Sequence, residues 1–178
     1  YITNQAIALA PNSTMGGSVL ATMADIGSNG VSFTNGSVGN SVLQSEFKDI
    51  SASAVAIGAR SNPETMPAAQ RCINNTVSDC TIAHVSKEFR GHPGLLIGFS
   101  HGTLIEHNEL AFLPYTAISL GWGWSAYPHT FDGANRILSN NIHHHMQVLG
   151  DGGAIYTLGA QVRAQCTLCL ASSLSCIC

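Results

Sequence analysis

An internal repeat is the feature that most constrains how this chain can fold. Four segments carry three anchor positions separated by five and then three residues, and an apolar run ending in Gly follows each segment. The four triplets are Val42, Phe47, Ile50; Val77, Ile82, Val85; Ile105, Leu110, Leu113; and Ile137, Ile142, His145. The runs end at Ile57-Gly58, Ile97-Gly98, Leu120-Gly121 and Leu158-Gly159. A period of about 30 residues built from short strands predicts stacked coils of a parallel β-solenoid.

Small or polar residues occupy the corner after each first strand. The third position after the first anchor is Ser45, Cys80, Asn108 and Asn140. Asn tolerates left-handed backbone, and its amide can bond the Asn of the next coil. Like charges about 4.8 Å apart in a ladder would repel, so a solenoid tolerates few of them, and only 10% of the 178 residues are charged. A β-sandwich is the alternative, but it does not preserve this spacing. We therefore expect an all-β chain folded as a single solenoid of about four to five coils.

The charge balance argues against several kinds of partner. Seven basic residues against ten acidic ones do not suit a phosphate-binding surface. No charge-free apolar stretch approaches the roughly 20 residues of a membrane span. We expect no nucleic-acid partner, no membrane partner, no cofactor and a monomeric protein. Sequons at Asn12, Asn35 and Asn74 are compatible with a secreted, extracellular protein.

Two of the four segments have more residues than the others between their first anchor and the apolar run that ends in Gly. Insertions of five and six residues fall at about 86–93 and 147–153, and 122–134 forms a long exit loop. Solenoids place such insertions on one face, which is often the binding face. In the apolar runs before each Gly, strand alternation predicts one row of side chains that points inward. The neighbouring row points outward and forms the floor of a groove, made of small side chains. The inward row is Ile57, Ile97, Leu120 and Leu158, and the outward row is Ala56, Leu96, Ser119 and Thr157.

Four runs at these positions resemble a known family. They are residues 91–94, 105–109, 113–124 and 151–159. These runs are similar to those of right-handed parallel β-helix proteins, and among them to secreted β-helix glycoside hydrolases of the fucosidase/xylanase type. The resemblance covers about residues 25 to 161. It implies a right-handed helix and a polysaccharide or oligosaccharide partner.

The end of the chain departs from this pattern. We expect residues 1–161 to be a partial β-helix whose first 25 or so residues are unassigned, and 162–178 to be an atypical Cys-rich tail. In that tail the pair Cys166 and Cys169 has metal-binding spacing, but Cys176 and Cys178 are too close for an ordinary zinc knuckle. We favour a non-native tail over a metal site and expect the chain to be a fragment. Elsewhere, Cys72 and Cys80 are expected to be buried rather than joined in a disulfide.

Candidate catalytic residues lie where the second strands begin. Glycoside hydrolysis uses two carboxyl groups, and Asp151, in a Gly-flanked insertion, is the leading candidate, although Asp-Gly also favours tight turns. Three alternatives remain open for the second carboxylate: Asp132, whose exit loop can fold over the groove, Glu88 of the coil-two insertion, or a residue outside this sequence. His92 would act as a general acid or base, or orient a substrate hydroxyl.

The remaining candidates are substrate-binding or structural. Indole rings commonly stack on sugars, and the substrate-binding set is Arg90, His101, Tyr115, Trp122 and Trp124. Glu106 and Glu109 follow an anchor in another strand, so they are predicted to face away. In the run 143–145, adjacent histidines of a strand would point to opposite faces, which favours structural roles over metal binding, and we expect no metal site.

Three functions remain open on the sequence alone. The first is a carbohydrate-active enzyme that hydrolyses glycosidic bonds in a plant or algal cell-wall type of polysaccharide. The second is a lyase similar to pectate lyase, which would need a Ca²⁺ site of several carboxylates. The third is a non-catalytic glycan-binding or structural β-helix fragment.

Overall fold

Short strands form four parallel sheets in a computed structural model that describes residues 7–9, 18–34, 36–58, 60, 63–122, 131–159, 165–167, 170–171 and 176–177. Sheet A holds seven strands: β1 Ile7–Leu9, β4 Val31–Phe33, β7 Val55–Ile57, β11 Leu95–Ile97, β15 Ile118–Leu120, β18 Ile155–Thr157 and β21 Cys176–Ile177. Sheet B holds six: β2 Ser18–Val19, β5 Ser41–Leu43, β9 Thr76–Ser78, β13 Leu104–Glu106, β16 Arg136–Leu138 and β19 Gln165–Thr167. Sheet C also holds six: β3 Thr22–Ala24, β6 Glu46–Lys48, β10 Thr81–Ala83, β14 Glu109–Ala111, β17 Asn141–His143 and β20 Leu170–Ala171. A two-stranded sheet joins β8 Cys72–Ile73 to β12 Ser100–His101.

The strands follow one another along the chain in the order sheet B, sheet C, sheet A. The described ranges hold six such sets, and we number four of them as coils: coil one is 41–57, coil two 76–97, coil three 104–120 and coil four 136–157, with the sets 18–33 before them and 165–177 after them. The helical structure in the described ranges is one 3-10 turn, Ala68–Gln70, and none of their helices is long and apolar enough to cross a membrane. The chain is therefore all-β with parallel sheets, which is consistent with a β-helix-like fold. The division of the chain at residue 161 stays a prediction.

The first two positions of the predicted triplets stack in register, coil upon coil. Val42 pairs with Val77, which lies beside Ile105 and then Ile137 in sheet B. In sheet C the equivalent row is Phe47, Ile82, Leu110 and Ile142. All eight side chains are buried and belong to one apolar core, so burial of these rows holds the sheets together. Cys72 and Cys80 are buried and free, as predicted.

The fourth coil corrects one part of the predicted strand alternation. Tyr156 pairs beside Ser119 on the outward row, and Thr157 pairs beside Leu120 on the inward row. Coil four thus carries the same five-residue insertion as coil two, rather than six residues. The prediction that Leu158 points inward and Thr157 outward was wrong, because a one-residue slip exchanges the two faces of a strand.

Buried amides form two ladders at the corners between sheets. Asn108 lies at the predicted corner, where its Oδ1 accepts the Cys80 N–H at 3.0 Å and its Nδ2 donates to Asn140 Oδ1 at 2.9 Å. A second ladder, which the sequence reasoning missed, precedes sheet B. Its amides are those of Asn40, Asn75 and Asn135, while Thr103 stands at the equivalent position of coil three, and all four residues are buried. Such amides bond the backbone groups that a corner leaves without strand partners.

Left-handed residues turn the chain as it leaves sheet C. The equivalent position has a positive φ of 53° in both Asp49 and His84, 54° in Phe112 and 50° in His144. This geometry brings the ring of His144 beside that of His143, with their Nδ1 atoms 2.7 Å apart. The sequence-based expectation that these adjacent rings point to opposite faces was therefore wrong, because His144 lies beyond the end of the strand.

Candidate functional site

Two long loops lie over the shorter loops of the coils before them. The loop of coil two, residues 86–94, donates from Ser86 N to Ala52 O at 2.9 Å and from Lys87 N to Ile50 O at 3.1 Å. The loop of coil four, residues 146–154, donates from Met146 N to Tyr115 O at 3.0 Å in the same way. The backbone thus fixes both loops. The residues between them are the short loop of coil three, 113–117.

The loop of coil four brings Asp151 to Tyr115. Tyr115 Oη donates to the Asp151 carbonyl oxygen at 3.3 Å, while the Asp151 side chain is exposed. Burial, and secondly the nearby charge of Asp151, raise the pKa of the Tyr115 hydroxyl. The phenol therefore stays protonated and remains a hydrogen-bond donor at neutral pH. Tyr115 and Asp151, both predicted from the sequence to lie here, are therefore in contact through the Asp151 backbone.

Gly152 permits this contact because it has no side chain. A Cβ at Gly152 would overlap Thr116 Oγ1 and lie 2.9 Å from Tyr115 Cε2. We therefore expect Gly152→Ala to displace the Tyr115 ring and to lower the free energy of unfolding by about 1–3 kcal/mol, as overpacking does. Chemical denaturation measures this change. Gly150→Ala is the matched control, since a Cβ there meets no atom within 4 Å; equal effects of the two substitutions would contradict the packing argument.

His92 is a half-buried imidazole in the loop of coil two. Its backbone N–H donates to Phe89 O at 2.8 Å, and its buried Nδ1 has no hydrogen-bond partner among the described residues. Burial, and secondly the positive charge of Arg60, lower the pKa of His92. The imidazole is therefore neutral at neutral pH, so it can accept a proton from a water or hydroxyl.

The titration of His92 should depend on Arg60. We expect the imidazole to titrate below its ordinary value of 6.5, and Arg60→Gln to raise its pKa because the protonated form then faces less repulsion. Arg60→Lys keeps the charge and should leave the titration nearly unchanged. Proton NMR of the His92 ring measures all three curves. Titration of wild-type His92 at or above 6.5 would contradict the burial described here.

Trp122 and Arg60 lie at the other edge of sheet A, where its strands end, whereas His92, Tyr115 and Asp151 precede the strands. The Arg60 guanidinium lies 5.1 Å from the centre of the Trp122 ring, and Trp122 is 36% exposed. The sequence reasoning missed Arg60, whose loop lies far from Trp122 along the chain. Trp124 lies outside the described residues. Between the two sides, Leu96 and Ser119 of the predicted floor are only 8% and 6% exposed, so the floor is less open than expected.

Asp132 does not lie over the groove. Its side chain is 2% exposed, and its Oδ1 accepts the Ser100 N–H and an Asn135 Nδ2–H, each at 3.1 Å. This carboxylate completes the second amide ladder, so the prediction that it folds over a substrate is corrected. His101 lies at the same corner, exposed, with its Nδ1 3.0 Å from Phe131 O.

The other predicted side chains are held away from Tyr115 and Asp151. Arg90 lines a cavity on the side of the loop that faces sheet C. Glu88 accepts a hydrogen bond from the Ser51 hydroxyl of coil one. Glu109 lies 3.1 Å from His143 Nε2 on the outer face of sheet C, which agrees with the expectation that it faces away. No group of three or more His, Cys, Asp or Glu side chains suited to a metal ion occurs in the described part of the chain.

Comparison with known proteins gives one informative likeness. No protein-family model matches the chain, and no curated protein matches it. A solved structure described as a glycoside hydrolase is similar, with a TM-score of 0.77 and 28% sequence identity. The match covers 80% of this chain and 25% of the other, so this chain spans about a quarter of that protein's length.

Proposed function

We propose that this chain is part of a right-handed parallel β-helix that hydrolyses glycosidic bonds in a polysaccharide. The observation that carries the proposal is the catalytic rim, by which we mean His92, Tyr115 and Asp151 on loops at one edge of sheet A. The exposed Asp151 carboxylate can stabilise positive charge on a sugar ring, the protonated Tyr115 phenol is a hydrogen-bond donor, and the neutral His92 imidazole can take a proton in place of the second carboxylate. The 28% identical neighbour described as a glycoside hydrolase supports the same direction.

Each member of the catalytic rim is assigned one role. His92 takes a proton from the attacking water, whose oxygen forms the new bond to the anomeric carbon as the glycosidic bond breaks. The leaving oxygen takes a proton from solvent. The Asp151 carboxylate stabilises the positive charge that builds on the sugar ring, and the Tyr115 hydroxyl fixes the Asp151 loop. Trp122 offers an aromatic surface on the far side of sheet A.

Hydrolysis can be separated from the two competing functions in one series of incubations. The full chain is incubated with a panel of plant and algal cell-wall polysaccharides, and new reducing ends, ultraviolet absorbance and retention on each polymer are measured. Hydrolysis predicts new reducing ends without a rise in absorbance. A calcium-dependent rise in absorbance would indicate a lyase, and retention without any product would indicate a glycan-binding protein. We also propose that the protein is secreted, which the extracellular location of such polymers favours.

A further inference from the structure

A second concave surface lies between the two long loops, on the side of sheet C. The loop cleft, as we call it, is a cavity of about 270 Å³. Lys87 and Arg90 of the coil-two loop line one side, and Gln147 and Val148 of the coil-four loop line the other. Phe112 and Pro114 of coil three lie between them. Its volume is just below the roughly 300 Å³ at which small-molecule sites begin, which suits a single sugar residue.

Exposed apolar side chains concentrate at the loop cleft. The described residues expose five large apolar side chains, and Phe112 and Val148, at 39% and 53% exposure, line this cavity; the Phe112 ring also stacks on the imidazoles of His84 and His144, each with ring centroids 4.8 Å away. Phe89, at 51% exposure, lies on the loop segment between Lys87 and Arg90. Exposed apolar surface beside polar groups is typical of a binding site, because water leaves it readily when a ligand arrives.

Three exposed side chains of the loop cleft carry hydrogen-bond donors for a ligand, namely Arg90, Gln147 and His84. Lys87 is held by Asp49, with Nζ 2.7 Å from Oδ1. Arg90 forms no ion pair with an acidic residue of the described ranges, and its side chain is exposed. A guanidinium presents several N–H groups in a plane and can bind two neighbouring hydroxyls. The apolar side chains of Phe112, Pro114 and Val148 beside such donors complement a sugar ring, which has an apolar face and a polar edge.

The loop cleft and the catalytic rim are built from the same three loops. Arg90 and His92 are two residues apart in the coil-two loop, and Pro114 and Tyr115 are neighbours in coil three. In the coil-four loop, Val148 precedes Asp151 by three residues. Because these loops run from sheet C to sheet A, a chain that leaves the catalytic rim along them reaches the loop cleft.

We propose that the loop cleft is a subsite for one further sugar residue of a glycan chain whose cleaved bond lies at the catalytic rim. This proposal rests on the proposed function for the identity of its ligand. It predicts that long oligosaccharides bind more tightly than short ones, because only the long ones reach from the rim to Arg90 and Val148. It also predicts that substitutions in the cleft affect long oligosaccharides selectively.

The test uses an array of short and long cell-wall oligosaccharides, followed by calorimetry on a long and a short member that the wild-type chain retains. Arg90→Ala and Val148→Asp should each weaken binding of the long oligosaccharide about tenfold and leave the short one unchanged. Arg136→Ala and Leu20→Asp are matched controls at exposed positions elsewhere, and should change neither affinity.

Three results would overturn the subsite. They are retention of no oligosaccharide by the wild-type chain, equal binding of the long oligosaccharide by wild type and cleft variants, and self-association of the chain that Val148→Asp abolishes. The outcome is distinct from that of the proposed function. Selective weakening without any hydrolysis would keep the subsite and remove the catalytic rim. Hydrolysis by the wild-type chain, together with unchanged binding in the cleft variants, would keep the catalytic rim and remove the subsite.

Discussion

Replacing Asn108 with leucine is expected to lower the free energy of unfolding by about 3–5 kcal/mol. Asn108 is 1% exposed, and its side chain bonds Cys80 N, Val77 O and Asn140 Oδ1 at 3.0, 3.0 and 2.9 Å. Leucine has a similar size but leaves Cys80 N and Val77 O without this side-chain partner, while Asn140 Oδ1 keeps the backbone N–H of residue 108; each unsatisfied group costs roughly 1–3 kcal/mol. Because a domain of this size has about 5–15 kcal/mol of stability, the variant should lie close to unfolding.

Urea denaturation followed by circular dichroism measures this difference. Asn141→Leu is the matched control, since Asn141 is exposed on β17 and a β-forming side chain is tolerated there. We expect the control to stay within about 0.5 kcal/mol of the wild-type chain. Equal stability of Asn108→Leu and Asn141→Leu would mean that the buried amides do not hold the corners of this fold.

Replacing Asp151 with asparagine is expected to reduce the rate of glycan hydrolysis between about 10²-fold and 10⁴-fold. The substitution keeps the size of the side chain and removes the negative charge that would face the developing positive charge on the sugar. The Tyr115 hydroxyl bonds the backbone carbonyl of Asp151, so this contact survives the exchange. The loss should therefore appear mainly in kcat rather than in KM.

Two controls separate charge from structure in that experiment. The denaturation midpoint of Asp151→Asn should match that of the wild-type chain, because Asp151 is exposed. Asp79→Asn alters an exposed carboxylate at the end of a sheet B strand and should leave the rate unchanged. Undiminished hydrolysis by Asp151→Asn would remove this residue from catalysis.

The stacking of the core could be predicted because it depends on local spacing. The five-residue interval places Val42 and Phe47 of coil one, and the equivalent residues of the other coils, inward, and the structure stacks these two rows as expected. The shifted register of coil four could not be predicted in this way. Leu158 before a Gly resembled the ends of the other strands, but the pairing of Thr157 with Leu120 depends on the length of the preceding loop.

The catalytic rim could be predicted only where the loops follow the coil alignment. Tyr115 and Asp151 come together because both loops begin at equivalent corners, and the coil alignment shows this equivalence. Asp132 was misplaced because its position in the long exit loop suggested that it lies over the groove, whereas its carboxylate accepts hydrogen bonds from Ser100 N and Asn135 Nδ2 in the buried ladder. The contact of Arg60 with Trp122 joins loops that are distant along the chain, and the residue spacing of the sequence does not predict it.

The measurement that tests the proposed hydrolysis most directly is the origin of the oxygen at the new chain end. The wild-type chain is incubated briefly in heavy-oxygen water with the polysaccharide that it retains most strongly, and the products are analysed by mass spectrometry. Unlabelled product added to a parallel sample corrects for exchange with the solvent. The account predicts one solvent oxygen in each new reducing end, and almost none when Asp151→Asn replaces the wild-type chain. Products that lack solvent oxygen and carry an unsaturated end, or the same labelling with Asp151→Asn, would contradict it.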